Sequence, residues 1–488
     1  MSNKKVVNNF FWRFAERVGA QLVTFLVSVI LARLLEPEVY GNIALITVFI
    51  TILNVFIDSG MANALIQKKN ADNIDFSTVF YFNMTVCCIL YIAVYLAAPV
   101  IAAFYENHSL IPVIRVLSLM LIISGLKNVQ QAYVSRTMQF KKFFFATLGG
   151  TVGAAAVGIF LAYRGAGIWA LVAQQLFNTT VDTIVLWFTV KWRPQRLFQF
   201  TRLRTLFTYG SKLLVSALLD TVYNNIRQLI IGKMYSSEEL AYFNRGKQFP
   251  NLVITNIVTS IDSVLLPTMS MEQDNSLRVK GMTRRAIKTG TCVMAPIMIG
   301  LACCAQPLVR LILTDKWIES VPFMRIMCIC ALFYPIHTAN LNAIKAMGKS
   351  NLYLRMEISK KIVGTVLLLT TMWFGVYALA YSLLVESVLA QIINSWPNKK
   401  LLDYGYADQV RDIVPSLLIS IGMGVCIYPV TLLKLSDFSV LIMQILLGAA
   451  IYIGGCKLFK VEAFGYLWIH VKTLLKNKQI RKEKDEEK

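Results

Sequence analysis

Apolar residues run along this chain in long uninterrupted blocks, among them 22–32, 43–57, 79–103, 293–305 and 417–433. With its flanks, each approaches the roughly 20 residues that a helix needs to cross a bilayer core. The pattern predicts fourteen spans, near 10–33, 39–66, 76–104, 110–135, 143–163, 165–190, 205–231, 241–270, 285–313, 321–346, 352–373, 375–396, 411–433 and 437–457. A membrane β-barrel would instead alternate apolar and polar residues over strands of about ten. The connections are short, and no segment is long enough for a soluble domain. The first span is expected to be retained rather than cleaved, because no small-residue cleavage site follows Leu35 and a second span begins almost at once. The Lys- and Glu-rich tail beyond Lys472 is expected to be disordered at its end.

Polar residues inside the spans recur at helical spacing. Arg13, Arg17, Gln21, Thr24 and Ser28 share one face of span one, and Lys212, Ser216, Asp220, Asn224 and Arg227 share one face of span seven. Span two carries Thr47, Thr51, Asn54 and Asp58, and span eight carries Asn244, Gln248, Asn251, Thr255, Thr259 and Asp262. Such groups are costly against lipid, so these faces turn toward protein or a hydrated cavity. Hydrogen bonding between helices accounts equally well for the Ser, Thr and Asn positions. The cations, with few carboxylates beside them other than Glu16 and Asp220, point to a positive cavity suited to an anionic substrate. Arginine grips phosphate oxygens through paired hydrogen bonds, and lysine acts as a point charge. The expected substrate-binding residues are Arg13, Arg17, Gln21, Lys212, Asn224 and Arg227. Buried carboxylates often carry a coupling ion in transporters. Asp58, Asp220 and Asp262 are expected to hold a coupling H+ or Na+, with Asp182 and Glu386 as further acidic residues in or near spans. Lys360 and Lys361, near the cytoplasmic end of span eleven, serve either to guide phosphate or to anchor the helix.

Composition sharpens the picture. Hydrophobic residues make up 56% of the 488 and mean hydropathy is +0.57, above the soluble average. Only 16% of residues are charged, yet the net charge is +22. In a soluble protein that excess would point to nucleic acid; here the basic residues sit in alternate loops and at both ends, so no nucleic-acid partner is expected. Lys68 and Lys69, Arg136 with Lys141 and Lys142, Lys191 to Arg204, Arg278 to Lys288, Lys345 to Arg355, and Lys399 with Lys400 mark the cytoplasmic side, which puts both termini in the cytoplasm. The nine cysteines show no metal-ligand spacing, and pairs such as Cys87–Cys88, Cys303–Cys304 and Cys328 with Cys330 lie in apolar runs as small hydrophobes. His337 falls within a span with no Cys or carboxylate pattern around it; His108 and His470 lie in or near loops. No metal site and no cofactor beyond the coupling ion are expected.

The chain repeats itself at an offset of about 200 to 210 residues. Residues 34–41 after span one parallel 234–241 after span seven. Pro99-Val100-Ile101 parallels Pro307-Leu308-Val309, and the Pro-x-x-Arg of Pro112 to Arg115 returns as Pro322 to Arg325. This predicts an all-α membrane fold of two six-helix lobes with the same orientation around a central cavity, as parallel-repeat transporters have. The expected domains are 1–200 (spans 1–6), 201–402 (spans 7–12), 403–460 (spans 13 and 14) and a basic cytoplasmic tail, 461–488.

Several motifs are more specific. Residues 31–41, Leu-Ala-Arg-Leu-Leu-Glu-Pro-Glu-Val-Tyr-Gly, resemble the signature of Wzx-type polysaccharide exporters. So do Asp58-Ser59-Gly60, residues 64–69, Phe80-Tyr81-Phe82-Asn83, residues 98–105 and residues 167–172. The WzxC-like branch is the most similar. The resemblance covers nearly the whole chain and is most specific in the first 175 residues. It implies membership of the multidrug/oligosaccharidyl-lipid/polysaccharide superfamily and two six-helix lobes around a V-shaped cavity. The implied substrate is an oligosaccharide on undecaprenyl pyrophosphate, flipped from the cytoplasmic to the periplasmic leaflet of a bacterial inner membrane. Lipopolysaccharide O-antigen, capsule or exopolysaccharide synthesis is the implied setting, with a polysaccharide polymerase and chain-length machinery as partners besides membrane lipids. Binding residues in this family vary with the sugar, so none is carried over.

Two other classes were weighed. An ion-coupled drug or cation antiporter of the same superfamily usually has twelve spans, and its substrate favours an acidic lining. A membrane polymerase or ligase needs a sizeable outward loop bearing catalytic groups, and neither that loop nor an acid–base or nucleophile constellation is present.

Overall fold

The computed structural model describes residues 3–58, 61–433, 435–469 and 473, with side chains from residue 18 onward except those of 58, 140 and 209. Regular structure among the described residues is helical throughout. Contacts divide the chain into two compact units, Met1–Ala241 and Tyr242–Lys488.

Unit 1 holds α1 (Asn3–Leu34), α2 (Pro37–Asp58), α3 (Met61–Gln67), α4 (Asn73–Phe104), α5 (Leu110–Leu117), α6 (Leu119–Arg136), α7 (Phe140–Tyr163), α8 (Ile168–Thr189) and α9 (Phe200–Met234). α10 (Ser237–Met271) starts there and continues into unit 2. Unit 2 adds α11 (Ser276–Cys303), α12 (Ala305–Leu313), α13 (Ser320–Ala331), α14 (Tyr334–Ala346), α15 (Ser350–Thr371), α16 (Val376–Leu402), α17 (Tyr406–Ile427) and α18 (Asp437–Leu458), with short 3-10 turns at Asp315–Trp317 and Tyr428–Leu432.

Every one of the fourteen expected spans coincides with helix. Among the described residues, ten helical segments are long and apolar enough to cross a membrane, and Val18–Leu34 of α1 is a shorter apolar stretch. The ten are α2 with α3, α4, α5 with α6, α7, α10, α11, α13 with α14, α16, α17 with its 3-10 extension, and α18. α8, α9 and α15 fall outside that set because polar residues dilute them: α8 carries Gln174, Gln175, Asn178 and Asp182, and α15 carries Arg355, Glu357, Lys360 and Lys361.

The packing is that of a membrane protein. Large apolar side chains such as Leu96 and Val100 on α4, Phe188 on α8, and Leu418 and Val425 on α17 point outward. Small residues let helices approach each other. On α7, Gly150, Gly153 and Gly158 meet Asn178, Phe177 and Gln174 of α8. One apolar core of unit 1 joins Leu31 of α1, Ile46 of α2, Leu117 of α5 and Val172 of α8. In unit 2, Ile287, Ile336, Ala343, Leu402 and Ile413 join α11, α14, α16 and α17.

The basic face that set the topology is built into structure. Asp72 caps α4 in a capping box with Asp75. Arg202 donates to Asp72 at 2.6 Å, and Lys68 to Asp75 at 2.7 Å. The Arg202 hydrogen bond, with that from the Asp75 amide, holds the Asp72 carboxyl below the usual carboxylate range. Arg136 donates to the carbonyls of Leu65, Lys68 and Lys69, closing the C-terminal end of α3.

Candidate functional site

The polar stripes fall on helices that the bilayer would otherwise require to be apolar. On α9, Lys212, Ser216, Asp220 and Asn224 are exposed along one face, and Arg227 is half-buried. On α1, Gln21 and Ser28 are half-buried and Thr24 is exposed. The side chains of Arg13, Arg17 and Asp58 lie outside the described residues. On α10, Asn251, Thr255, Thr259 and Asp262 are exposed, and Asp262 accepts a 2.6 Å hydrogen bond from Asn342 of α14. Lys212, Asp220 and Asn224 therefore share a face as the spacing requires, and Asp262 has a neutral amide partner.

At the opposite end of α9 the chain is tightly closed. Gly41 of α2 lies so close to the backbone of Ser237 that a Cβ would collide with its carbonyl, and Gly232 of α9 likewise meets Leu45. Ser237 Oγ donates to Asn42 Oδ1 at 2.8 Å. Lys233 pairs with Glu106 at 2.9 Å, and that hydrogen bond holds the Glu106 carboxyl below the usual range. These residues lie in the loops that the charge pattern assigns to the outward side.

Sequence reading singled out Asp182 but not its partner. Lys127, inside the span Leu110–Arg136, meets Asp182 Oδ2 at 2.9 Å, with the two side chains 19% and 14% exposed. Asp182 Oδ1, and Asn178 Oδ1 one turn earlier, are buried without a hydrogen-bond partner among the described residues. Nothing in the local sequence of either helix announces a pair 55 residues apart. Lys360 is likewise paired, with Glu357 at 2.6 Å.

Unit 2 contains a buried polar knot that sequence reading also missed. Asn340 of α14 donates to Gln409 Oε1 at 2.8 Å and to Ser395 Oγ at 3.2 Å. Asn398 donates to Asn340 Oδ1 at 2.6 Å. The spacing of Gln391, Asn394, Ser395 and Asn398 on α16 is the signal that would have revealed it.

Unit 2 also holds an apolar cavity of about 470 Å³. Pro296, Gly300 and Leu308 of α11 and α12 form one wall, and Met423, Ile445 and Gly448 of α17 and α18 form the other. Its size falls within the range of ligand pockets, and its lining suits a hydrocarbon chain.

Residues 30–322 match the family described as polysaccharide biosynthesis protein. The teichuronic acid biosynthesis protein TuaB of Bacillus subtilis is 23% identical over 419 residues, covering 84% of this chain and 85% of that one. The lipopolysaccharide biosynthesis protein WzxC of Escherichia coli is 20% identical over 416 residues, covering 81% and 83%. Among solved structures, the lipid II flippase MurJ in an inward closed conformation aligns with a TM-score of 0.75 at 14% identity, over 94% of this chain and all of that one. An inward-facing multidrug resistance MATE transporter of the MOP superfamily aligns with a TM-score of 0.61 at 14% identity, over 78% and 94%. The fold is thus the one these transport proteins share. Since the matched segment spans well over half of its length, the chain belongs to the polysaccharide biosynthesis protein family.

Proposed function

We propose that the protein flips undecaprenyl-pyrophosphate-linked oligosaccharide repeat units from the cytoplasmic to the periplasmic leaflet of a bacterial inner membrane, by alternating access. The observation that carries this reading is the exposed, cation-bearing face of α9, with Lys212, Asn224 and Arg227 on a helix within a membrane fold. A pyrophosphate needs cations, a sugar needs hydrogen-bonding groups, and a prenyl tail needs an apolar path. Lys212 and Arg227, with Arg13 and Arg17, supply the first. Gln21 and Asn224 supply the second, and unit 2, taken by itself, holds an apolar cavity whose lining suits the third. The names of the relatives, two of cell-surface glycan synthesis and one of lipid II flipping, support a lipid-linked glycan as the cargo.

In this reading all fourteen helical segments cross the membrane, with both termini cytoplasmic. The repeat defines lobes at 1–200 and 201–402, followed by two further spans in 403–460 and the tail 461–488. A H+ or Na+ gradient drives the cycle, through carboxylates drawn from Asp58, Asp220 and Asp262. The flipped unit passes to a polymerase and its chain-length machinery for O-antigen, capsule or exopolysaccharide assembly.

The test is a strain lacking the gene and any second exporter. Its polyprenyl-pyrophosphate glycans are extracted and identified by mass spectrometry. Accumulation of one complete repeat unit, with loss of the matching surface polymer, is expected. Unchanged lipid-linked glycans and surface polymer would overturn the reading.

A further inference from the structure

His337 of α14 stands at the mouth of a buried amide site that the hydrogen bonding leaves incomplete. The ring is half-buried, and its Nδ1 lies 3.0 Å from Asn394 Nδ2 of α16. Behind it, Asn394 and Gln391 are each 1% exposed. Asn394 Oδ1 and both amide atoms of Gln391 are buried without a hydrogen-bond partner among the described residues. Buried amides are almost always satisfied, because a bare one has given up its hydrogen bonds to water for nothing. Three bare atoms on neighbouring turns of one helix face mark a place built to take up something the resting arrangement lacks.

Geometry indicates what that is. With the Asn394 amide nitrogen placed toward the ring, Nδ1 is the acceptor and the proton of the neutral ring sits on Nε2. A proton arriving at Nδ1 would oppose the Asn394 donor. Turning the Asn394 amide over resolves this, because Oδ1 has no contact to lose and becomes the acceptor for the new N–H. The displaced Nδ2 then needs an acceptor, and Gln391 Oε1, three residues earlier on α16, is an acceptor without a donor among the described residues.

The charged and titratable groups around the ring come from each packed element. Tyr334 of the same helix stands edge-on to it at 6.0 Å. Lys360 of α15 acts electrostatically on the ring, with Glu357 holding its ammonium. Glu386 of α16 and Cys330 of α13 act on Tyr334. α11 meets α14 through the apolar pair Gly290 and Pro335, and Asp262 of α10 is engaged further along by Asn342.

We propose that His337, with Asn394 and Gln391 behind it, is a proton-binding site that couples unit 2 to the proton gradient. The coupling part rests on the export reading above, and the proton site itself does not. The step is a simple transfer: water delivers one proton to Nδ1, the Asn394 amide turns, and the reverse motion releases it.

The first test uses the full chain in lipid nanodiscs with His108→Gln and His470→Gln, so that His337 is the sole histidine. Nitrogen NMR of 15N-histidine then reads protonation and tautomer directly. The expected result is a neutral Nε2–H ring at alkaline pH that gains a proton at Nδ1 on acidification. Asn394→Asp should raise the midpoint by about 1–3 pH units, as an adjacent carboxylate does, and Asn394→Leu should lower it. A ring that stays neutral until the protein unfolds, or a midpoint unmoved by Asn394→Asp in a monodisperse protein, overturns the site. In cells, His337→Gln should lose most surface polymer at unchanged membrane level, and its residual export should no longer follow external pH. If wild type restores polymer and His337→Gln does so equally, the coupling inference falls. If wild type restores none, the export reading falls, and the NMR titration still decides the proton site.

Discussion

Gly41 packs against Ser237 with no room for a side chain: any Cβ there would overlap the Ser237 carbonyl. Gly232 also lies close to Leu45. The first is a backbone approach of α2 to the start of α10, which only glycine permits, whereas at Gly232 of α9 a Cβ would meet the end of the Leu45 side chain.

Gly41→Ala should therefore destabilise the protein by about 1–3 kcal/mol, the usual cost of overpacking, and Gly232→Ala by less, because the end of the Leu45 side chain can shift. Gly281→Ala on α11, where a methyl meets nothing within 4 Å, should be neutral or slightly stabilising. Thermal unfolding in detergent measures all three. Equal melting temperatures for Gly41→Ala and Gly281→Ala would refute the close approach.

The Lys127–Asp182 pair predicts a non-additive double-mutant cycle. Removing one member strands the other charge, at a cost of about 3–5 kcal/mol, whereas replacing both with apolar residues is much milder. Lys127→Met and Asp182→Leu alone should lower membrane levels, and the double variant should recover them. Additive losses would mean that the two side chains do not depend on each other.

The cations of the polar face give a functional prediction. Arg13→Ala, Arg17→Ala, Lys212→Ala and Arg227→Ala combined should abolish surface polymer while the protein remains inserted. Normal polymer in the quadruple variant would rule out phosphate recognition by this face.

For the apolar cavity, Gly448 is the control point. A Cβ there meets Met423 and Ile427 at ordinary contact distance, so Gly448→Ala should be tolerated, while Gly448→Phe projects a ring into the cavity. The Phe variant should accumulate lipid-linked repeat unit at normal protein level. Undiminished export would dissociate the cavity from the lipid chain.

The capping box at α4 predicts an acid response. Asp72 is held below its ordinary carboxylate value by Arg202 and the Asp75 amide, so its folded value lies below its unfolded one. Its contribution is thus complete above the ordinary value and is lost as pH falls through the lowered one. Asp72 is half-exposed, and the contribution stays within about 1 kcal/mol and shrinks with salt. Hydrogen exchange at the Ile74 and Asp75 amides should show protection fading in acid, and Arg202→Ala should move that loss to higher pH. An unshifted onset in Arg202→Ala would assign the cap to other contacts.

How much of this was legible in sequence follows from how far apart the interacting residues lie. The helices were readable because lipid forces every span to be apolar and internally hydrogen-bonded. The break at Ser118 between α5 and α6 was not, since no glycine or proline marks it. The face shared by Lys212, Asp220 and Asn224 followed from helical spacing alone. The Lys127–Asp182 pair did not, because tertiary packing of α6 and α8 creates it. The repeat expected from the sequence would begin its second half at 201, ahead of α9, whereas α9 packs with α2, α3 and α4 in unit 1. Matched motifs along a chain do not say where a helix finds its neighbours.

That same ion pair bears on how the chain enters the membrane at all. A charged residue near the centre of a span raises the cost of inserting that helix by about 2.5–3.5 kcal/mol. During synthesis α6 emerges first with Lys127 uncompensated, and Asp182 follows only after α7 has been made. The apolar residues of Leu110–Arg136 carry that span despite the charge, and Asp182 offsets the cost that Lys127 adds. The helices from α6 to α8 are therefore expected to settle in the bilayer more readily together than α6 does alone, the later carboxylate neutralising the earlier ammonium.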